Sequence, residues 1–202
     1  LPPSATAIGH TRWATHGGPT DANAHPHRGG TDGKLAVVHN GIIENFHALK
    51  HDLLEQGVEF RSETDTEVAA HLVARAFDET GDLTAAMRQV VGGLEGAFTL
   101  LAVHADAPDT VVAARRNSPL VVGLGEGENF LGSDVAAFIG YTRSALELAQ
   151  DQIVTITPTS HEIINFDGTP AEGKAYEVTW DAAAAEKGGY DTFMEKEINE
   201  QP

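Results

Sequence analysis

Lys34-Leu35-Ala36-Val37-Val38-His39-Asn40-Gly41-Ile42-Ile43-Glu44-Asn45-Phe46, continuing through Ala48, Leu49, Leu53 and Leu54 to Gly57, is the stretch whose reading decides the fold. Leu35 to Val38 is a short apolar run that reads as a buried strand. From Asn45 to Gln56 the apolar residues Phe46, Leu49, Leu53 and Leu54 fall at helical spacing, and Gly57 supplies a stop. Between the two, His39-Asn40-Gly41 reads as a sharp turn with a permissive glycine at its apex. Such a turn can aim a backbone N–H and the Asn40 side-chain amide at one point. Acyl transfer puts negative charge on a carbonyl oxygen, and two convergent neutral donors are what an oxyanion hole requires. The plainer alternative is a strand–turn–helix whose Asn-Gly merely tolerates positive φ.

Outward from that stretch, the chain has the composition of one well-buried domain with a tail. It holds 202 residues, 41% of them hydrophobic, with 21 glycines. Thirty acidic against thirteen basic residues give a net charge of −17, which disfavours nucleic acid and anionic membrane surfaces as partners. Apolar runs such as Phe98–Val103 and Leu120–Leu124 are strand-sized and far short of a membrane span. No cysteine occurs, so disulfides, thiolate–zinc sites and thiol catalysis are excluded for these residues. Leu1-Pro2-Pro3-Ser4 carries no basic leader or apolar core, and a cytoplasmic location is expected. The lack of an initiating Met before the strand-like Ile8-Gly9-His10 leads to the expectation of a fragment.

Thr6 to Trp13 reads as a strand, broken by Gly17-Gly18-Pro19. Four of the ten histidines, His10, His16, His25 and His27, lie within eighteen residues. Thr64 with Glu67 is a capping-box signature before a helix carrying Val68, Leu72, Val73, Ala76 and Phe77. A further helix is expected over Leu83–Val91, entered from Asp82 and ended by Gly92-Gly93. Ala97–Val103, Thr110–Ala114, Leu120–Leu124 and Asn129–Ser133 are β runs, followed by a small helix near Val135–Ile139 and a hairpin of Ile153–Ile156 with Glu162–Phe166. Segregated helices and antiparallel strands indicate an α+β layered fold. Gly168–Lys174 reads as linker, Asp181–Lys187 as an Ala-rich helix and Tyr190–Gln201 as a polar helix. The domain expectation is therefore residues 1–168, with 169–202 a linker and helix.

Several residue types converge on amino-acid chemistry. Arg12 is the natural bidentate partner of an α-carboxylate, and Asp65 at a helix opening can take an α-ammonium. Arg12 could equally form a surface ion pair, and Asp65 could be a simple N-cap. A metal hydrolase built on His25-Pro26-His27 with His10, His16 and His39 is a rival. His-Pro-His is not a helix-face pair, however, and no acidic ligand has metal-site spacing nearby.

His10–Gly17, Asn23–His27, Val37–Phe46, Ser62–Val68, Ala113–Leu120, Gly127–Phe130 and Met194–Pro202 together resemble the glutaminase domain of the glucosamine-6-phosphate synthase family, within the class II glutamine amidotransferases. The resemblance covers nearly the whole chain. It implies a four-layer αββα N-terminal nucleophile hydrolase fold, here lacking its N-terminal strands, and an enzyme that draws ammonia from glutamine for fructose 6-phosphate. By the same resemblance Arg12 binds the glutamine carboxylate, Asp65 its amino group, and Asn40 and Gly41 the oxyanion. Trp13, Thr15 and His16 belong to a loop over bound glutamine, and His25 lies beside it. No metal or other cofactor is implied. The acceptor site and a homodimer contact are implied for an absent sugar-isomerase domain. The family nucleophile is an N-terminal cysteine whose α-amino group is the base. Without that cysteine, the expectation is a chain that binds glutamine but does not hydrolyse it, with a purely glutamine-binding module and the glutaminase of another class II amidotransferase as alternatives.

Overall fold

The computed structural model describes residues 5–179 and 193–200. Three helices, α1 (Phe46–Glu55), α2 (Asp65–Thr80) and α3 (Leu83–Val91), pack on one face of a seven-stranded antiparallel sheet. Its strands are β1 (His27–Gly29), β2 (Leu35–Ile43), β3 (Gly96–His104), β4 (Ala107–Arg116), β8 (Gln152–Ile156), β9 (His161–Asn165) and β10 (Pro170–Ala171), in the order β1-β2-β3-β4-β8-β9-β10. A four-stranded sheet of β5 (Val121–Leu124), β6 (Asn129–Gly132), β7 (Ser144–Glu147) and β11 (Lys174–Glu177) runs β11-β7-β5-β6.

Side-chain alternation builds two cores from one sheet. Phe98, Leu100 and Ala102 of β3 face the helices with Val112, Ala114 and Ile153. Their neighbours Leu101, Val103, Val111, Ala113, Val154 and Ile156 meet Leu120, Val122, Leu131 and Leu146 of the second sheet. A third cluster of Val135, Phe138, Ile139, Ala145 and Val178 covers the outer face of the second sheet. A short 3-10 helix, Val135–Ala137, supports it. The layer order is helices, sheet, sheet and this thin cover.

Caps explain where the helices begin. Thr64 accepts from the Glu67 N–H, and Asp82 Oδ1 accepts from the Ala85 N–H at 2.6 Å. The box at α2 is displaced from its usual form. Glu67 reaches past Thr64 to accept from the N–H groups of Arg61 (2.8 Å) and Ser62 (2.7 Å) and from Ser62 Oγ (2.6 Å). Asn45 ties the start of α1 to the α3–β3 connection, donating to Gly93 O and accepting from Glu95 N–H.

Three expectations change. His39-Asn40-Gly41 is not a turn: β2 continues to Ile43, and Gly41 pairs with Phe98 of β3. The apolar pattern of Ile42 and Ile43 carries the ladder onward. The glycine is needed for a φ of 132° and because a Cβ there would lie 2.1 Å from Ala97 O. Thr6–Trp13 is not a strand; residues 6–14 pair with no strand among the described residues. Ile8 instead packs on the inter-sheet core, and the left-handed Arg12, φ 50°, ends any extended run. Gly168–Lys174, expected as linker, instead holds β10 on β9 and the first residue of β11, which continues to Glu177 on β7, because both sheets end in edges that accept another short strand. Two further short strands, β1 and β7, escaped the pattern reading. Of the C-terminal helices, Phe193–Glu200 is helical (α4), while Asp181–Lys187 lies outside the described residues. No described helix is long and apolar enough to cross a membrane.

Candidate active site

Because β1 pairs only with Leu35–Val37, the edge of β2 from His39 to Ile42 is left without a neighbouring strand on that side. The loop from His10 to His16, His25 and the first turn of α2 close around that edge. They enclose a cavity of about 220 Å³. Arg12, Trp13, Thr15, His16, His25, Asn40, Gly41 and Asp65 all line it, together with His10, His39, Ile42, Thr64 and Thr66. A larger groove of about 540 Å³ lies between the sheets under Ala5–Gly9. Its only ionisable lining residues are Asp109 and Glu128, so it offers no pair of opposite charges.

Asp65 is the first residue of α2, and Thr64, not Asp65, is the N-cap. The Asp65 carboxylate is buried, and its Oδ2 accepts from Ile43 N–H at 2.9 Å, joining α2 to the end of β2. Its negative charge also suits the positive end of the helix. Across the cavity, Arg12 forms no ion pair among the described residues, unlike the surface pair considered from its sequence. Its guanidinium donates to the carbonyls of His16 (2.7 Å), Gly17 (2.9 Å) and Gly18 (3.0 Å), so three of the five guanidinium donors are engaged by its own loop. Asn23 holds that loop to the α2 entry, donating to Gly18 O and accepting from Glu63 N–H. His16 packs edge-on against Phe46 at 4.8 Å, whereas Trp13 is 89% exposed.

Asn40 is exposed to the cavity, and its carbonyl accepts from Ser118 Oγ at 3.2 Å. The histidines bond to one another and to threonines. His10 Nδ1 lies 3.0 Å from His25 Nδ1, His25 Nε2 is 2.9 Å and His39 Nδ1 3.0 Å from Thr66 Oγ1, and His27 Nε2 is 3.0 Å from Thr64 Oγ1. No group of three or more His, Cys, Asp or Glu among the described residues is arranged to hold a metal ion. Burial, helped by His10, His27, His39 and Arg12, pushes His25 down to about 3. Burial also lowers His39 to about 4 against the opposing pull of Asp65. Burial alone would raise Glu67, but bonds from His71, Ser62 and the Arg61 and Ser62 backbone hold it at about 2.

Thr64 and Thr66 line the cavity without having been assigned a site role from sequence, and His10 and His39 line it after being weighed only as ligands of the rival metal site. The only available signal was adjacency, since Thr64 and Thr66 flank Asp65 and His39 precedes Asn40.

The profile of the glutamine amidotransferase domain family matches residues 10–140. This chain belongs to that family. Over its full length it is 65% identical to the glutamine–fructose-6-phosphate aminotransferases [isomerizing] of Corynebacterium efficiens and Streptomyces coelicolor. It spans about a third of the length of these curated relatives. Among solved structures, the Bacillus subtilis glutamine phosphoribosylpyrophosphate amidotransferase complexed with ADP and GMP superposes with a TM-score of 0.63 at 27% identity. That match covers 78% of this chain and 34% of that one. The two facing sheets with their helix layer are therefore those of the Ntn-hydrolase class II amidotransferases.

Proposed function

We propose that this chain is the glutaminase half of a glutamine–fructose-6-phosphate aminotransferase, binding glutamine for release of ammonia in amino-sugar synthesis. The observation that carries the reading is one small cavity lined by both a guanidinium and a buried carboxylate, with Asn40 and Gly41 on its wall. Its volume of about 220 Å³ suits a free amino acid rather than a drug-sized ligand. Arg12 takes the α-carboxylate with the donors its loop leaves over, and Asp65 takes the α-ammonium. Asn40 Nδ2 and the Gly41 N–H stabilise the oxyanion. Supporting the Gly41 assignment, the two-residue period of β2 sends its N–H to the same edge as that of Ile43, which donates to Asp65. Trp13, Thr15 and His16 cover the ligand.

None of the 202 residues is a cysteine, so the residues present bind, orient and stabilise charge but contribute no thiol attack. Fructose 6-phosphate is the acceptor at a sugar-isomerase domain reached through the segment beyond Val178. Homodimerisation runs through that domain, and the enzyme works in the cytoplasm. Glutamine binding tests the core of this reading, and the absence of a thiol lets it be measured without turnover. Calorimetry should show saturable binding of L-glutamine that Arg12→Lys and Asp65→Asn each weaken. No saturable binding, or binding indifferent to both substitutions, overturns it.

A further inference from the structure

Behind the cavity wall runs a chain of hydrogen bonds whose direction can be worked out atom by atom. It starts at Arg12, whose backbone N–H donates to His10 Nδ1 at 3.0 Å. A backbone N–H can only donate, so His10 Nδ1 carries a lone pair. His25 Nδ1, 3.0 Å from that same atom, must then carry a proton. The neutral His25 ring has no second proton, which leaves its Nε2 an acceptor. Thr66 Oγ1, 2.9 Å from His25 Nε2, therefore spends its single proton there. His39 Nδ1, 3.0 Å from Thr66 Oγ1, can only be a donor.

The far end agrees independently. Asp65 Oδ2 lies 3.8 Å from His39 Nδ1, where a carboxylate favours an N–H and disfavours a lone pair. Reversing the chain would set the His39 lone pair beside that carboxylate and a His10 N–H against the Arg12 N–H. His39 is 3% exposed, so its ring protons are set chiefly by protein partners rather than by solvent. Its buried Nε2 has no hydrogen-bond partner among the described residues, where a lone pair costs less than an unsatisfied N–H.

We propose that His10, His25 and Thr66 are positioning residues that lock His39 as its Nδ1–H tautomer and thereby set the Arg12 and Asp65 poles of the cavity in register with Asn40. His10 holds Arg12 in its left-handed conformation by accepting its N–H, and a non-glycine residue keeps φ 50° only when its surroundings over-determine it. At the other end, His39 is the residue before Asn40, so its fixed ring anchors the strand edge that carries the oxyanion donors. The chain runs through Thr66, adjacent to Asp65 on the first turn of α2. Both poles and the strand edge thus share one set of bonds. The groups facing the two inner rings are His16, His27, Arg12 and Asp65 besides the members themselves, and burial keeps His25 and His39 neutral near pH 7.

The consequence for affinity rests on the glutamine reading above, but the tautomer pattern does not. Long-range ¹H–¹⁵N correlation spectra of the 202-residue chain at pH 7.5 should show His39 and His25 protonated at Nδ1 and His10 at Nε2. His39 protonated at Nε2, or His10 at Nδ1, overturns the proposal whether or not glutamine binds. Thr66→Val should release the His39 tautomer and weaken L-glutamine about tenfold, while Thr66→Ser restores both. Wild-type affinity in a folded Thr66→Val chain with an altered His39 tautomer overturns the positioning role. If Thr66→Val does not fold, the wild-type spectrum and Thr66→Ser still decide. A Thr66→Ser chain with the wild-type tautomers and affinity supports the role, and one that loses either overturns it.

Discussion

The two halves of the cavity are built on different principles. At the α2 entry, Thr64, Asp65, Thr66 and Glu67 are each no more than 3% exposed, and each carries at least one hydrogen bond to a neighbouring element or turn. Here the proposed recognition group, Asp65, belongs to the core. The loop from His10 to Gly18 is held otherwise. Its main bonds are internal, from the Arg12 guanidinium to carbonyls of residues 16–18, and its outer ties run through Asn23, His25 and Phe46. Trp13 at its crest is 89% exposed. The proposed ammonium pole at Asp65 is thus built into the folded core, while the proposed carboxylate pole at Arg12 joins that core through His10, His25 and Asn23. A ligand that bridges them ties a self-contained loop to a buried helix turn.

The largest expected effect lies on the wall that belongs to neither half. In a chain that also carries the nucleophilic cysteine, Asn40→Ala should lower kcat by ~10²–10³ with glutamine affinity nearly unchanged. The 202-residue chain itself should release no ammonia from glutamine, since it has no thiol. Full kcat in the Asn40 variant would remove that residue from the oxyanion role. Next comes Arg12→Lys, which should weaken L-glutamine by roughly 10–100-fold, as loss of about 1.5–3 kcal/mol of charge-assisted bonding implies. The same variant should melt within about 0.5 kcal/mol of the parent if the loop is as self-contained as its bonds indicate. A large drop in Tm would erase the contrast between the halves.

Asp65→Asn sharpens that contrast from the other side. It should weaken glutamine and also destabilise the chain by about 1–3 kcal/mol, because Ile43 N–H and the His39 ring face its carboxylate. Affinity lost without stability would place Asp65 with the loop rather than the core. The smallest effect is graded with pH. His25 and His39 lie below their ordinary 6.5, at about 3 and about 4, so the unfolded chain takes up their protons first. Their contribution to stability is whole above pH 6.5 and declines as the pH falls toward those values. Glu67, held at about 2, adds a second decline below pH 4.5. Melting curves from pH 7.5 to 4 should show Tm falling on acidification, with a shallower fall between pH 6.5 and 5 in His25→Asn.

Local patterns were legible where local physics decides. The starts of α2 and α3 follow from Thr64 and Asp82, whose short side chains satisfy the first free N–H groups. The hairpin β8–β9 and the run of β3 follow from short apolar, β-branched-rich runs bounded by turn residues. Failures came where the local pattern is weak or the pairing is long-range. Pro170–Ala171 is too short, and Lys174–Glu177 too short and charged, to announce themselves, and they pair because β9 and β7 offer free edges. Gly41 looked like a turn glycine because an Asn-Gly pair in isolation prefers one. Its neighbour across the sheet, Ala97 O at 2.1 Å from any added Cβ, is 56 positions away in the chain and invisible locally.

The sequence alone determined the layered α+β character, the net negative charge and the absence of a thiol in these residues. It also offered Arg12, Asp65, Asn40 and Gly41 as candidates from their chemistry, with Trp13, Thr15, His16 and His25 added by the resemblance, because composition, capping and motif strings are properties of neighbouring residues. Tertiary structure decided how those residues meet. It turned a supposed turn into an open strand edge, set Arg12 on its own loop carbonyls and threaded His10, His25, Thr66 and His39 into one directed chain. The physical reason is that a hydrogen bond depends on position in space within a few tenths of an ångström. Residues 10, 25, 39 and 66 reach that precision only when a sheet edge, a loop and a helix terminus pack together.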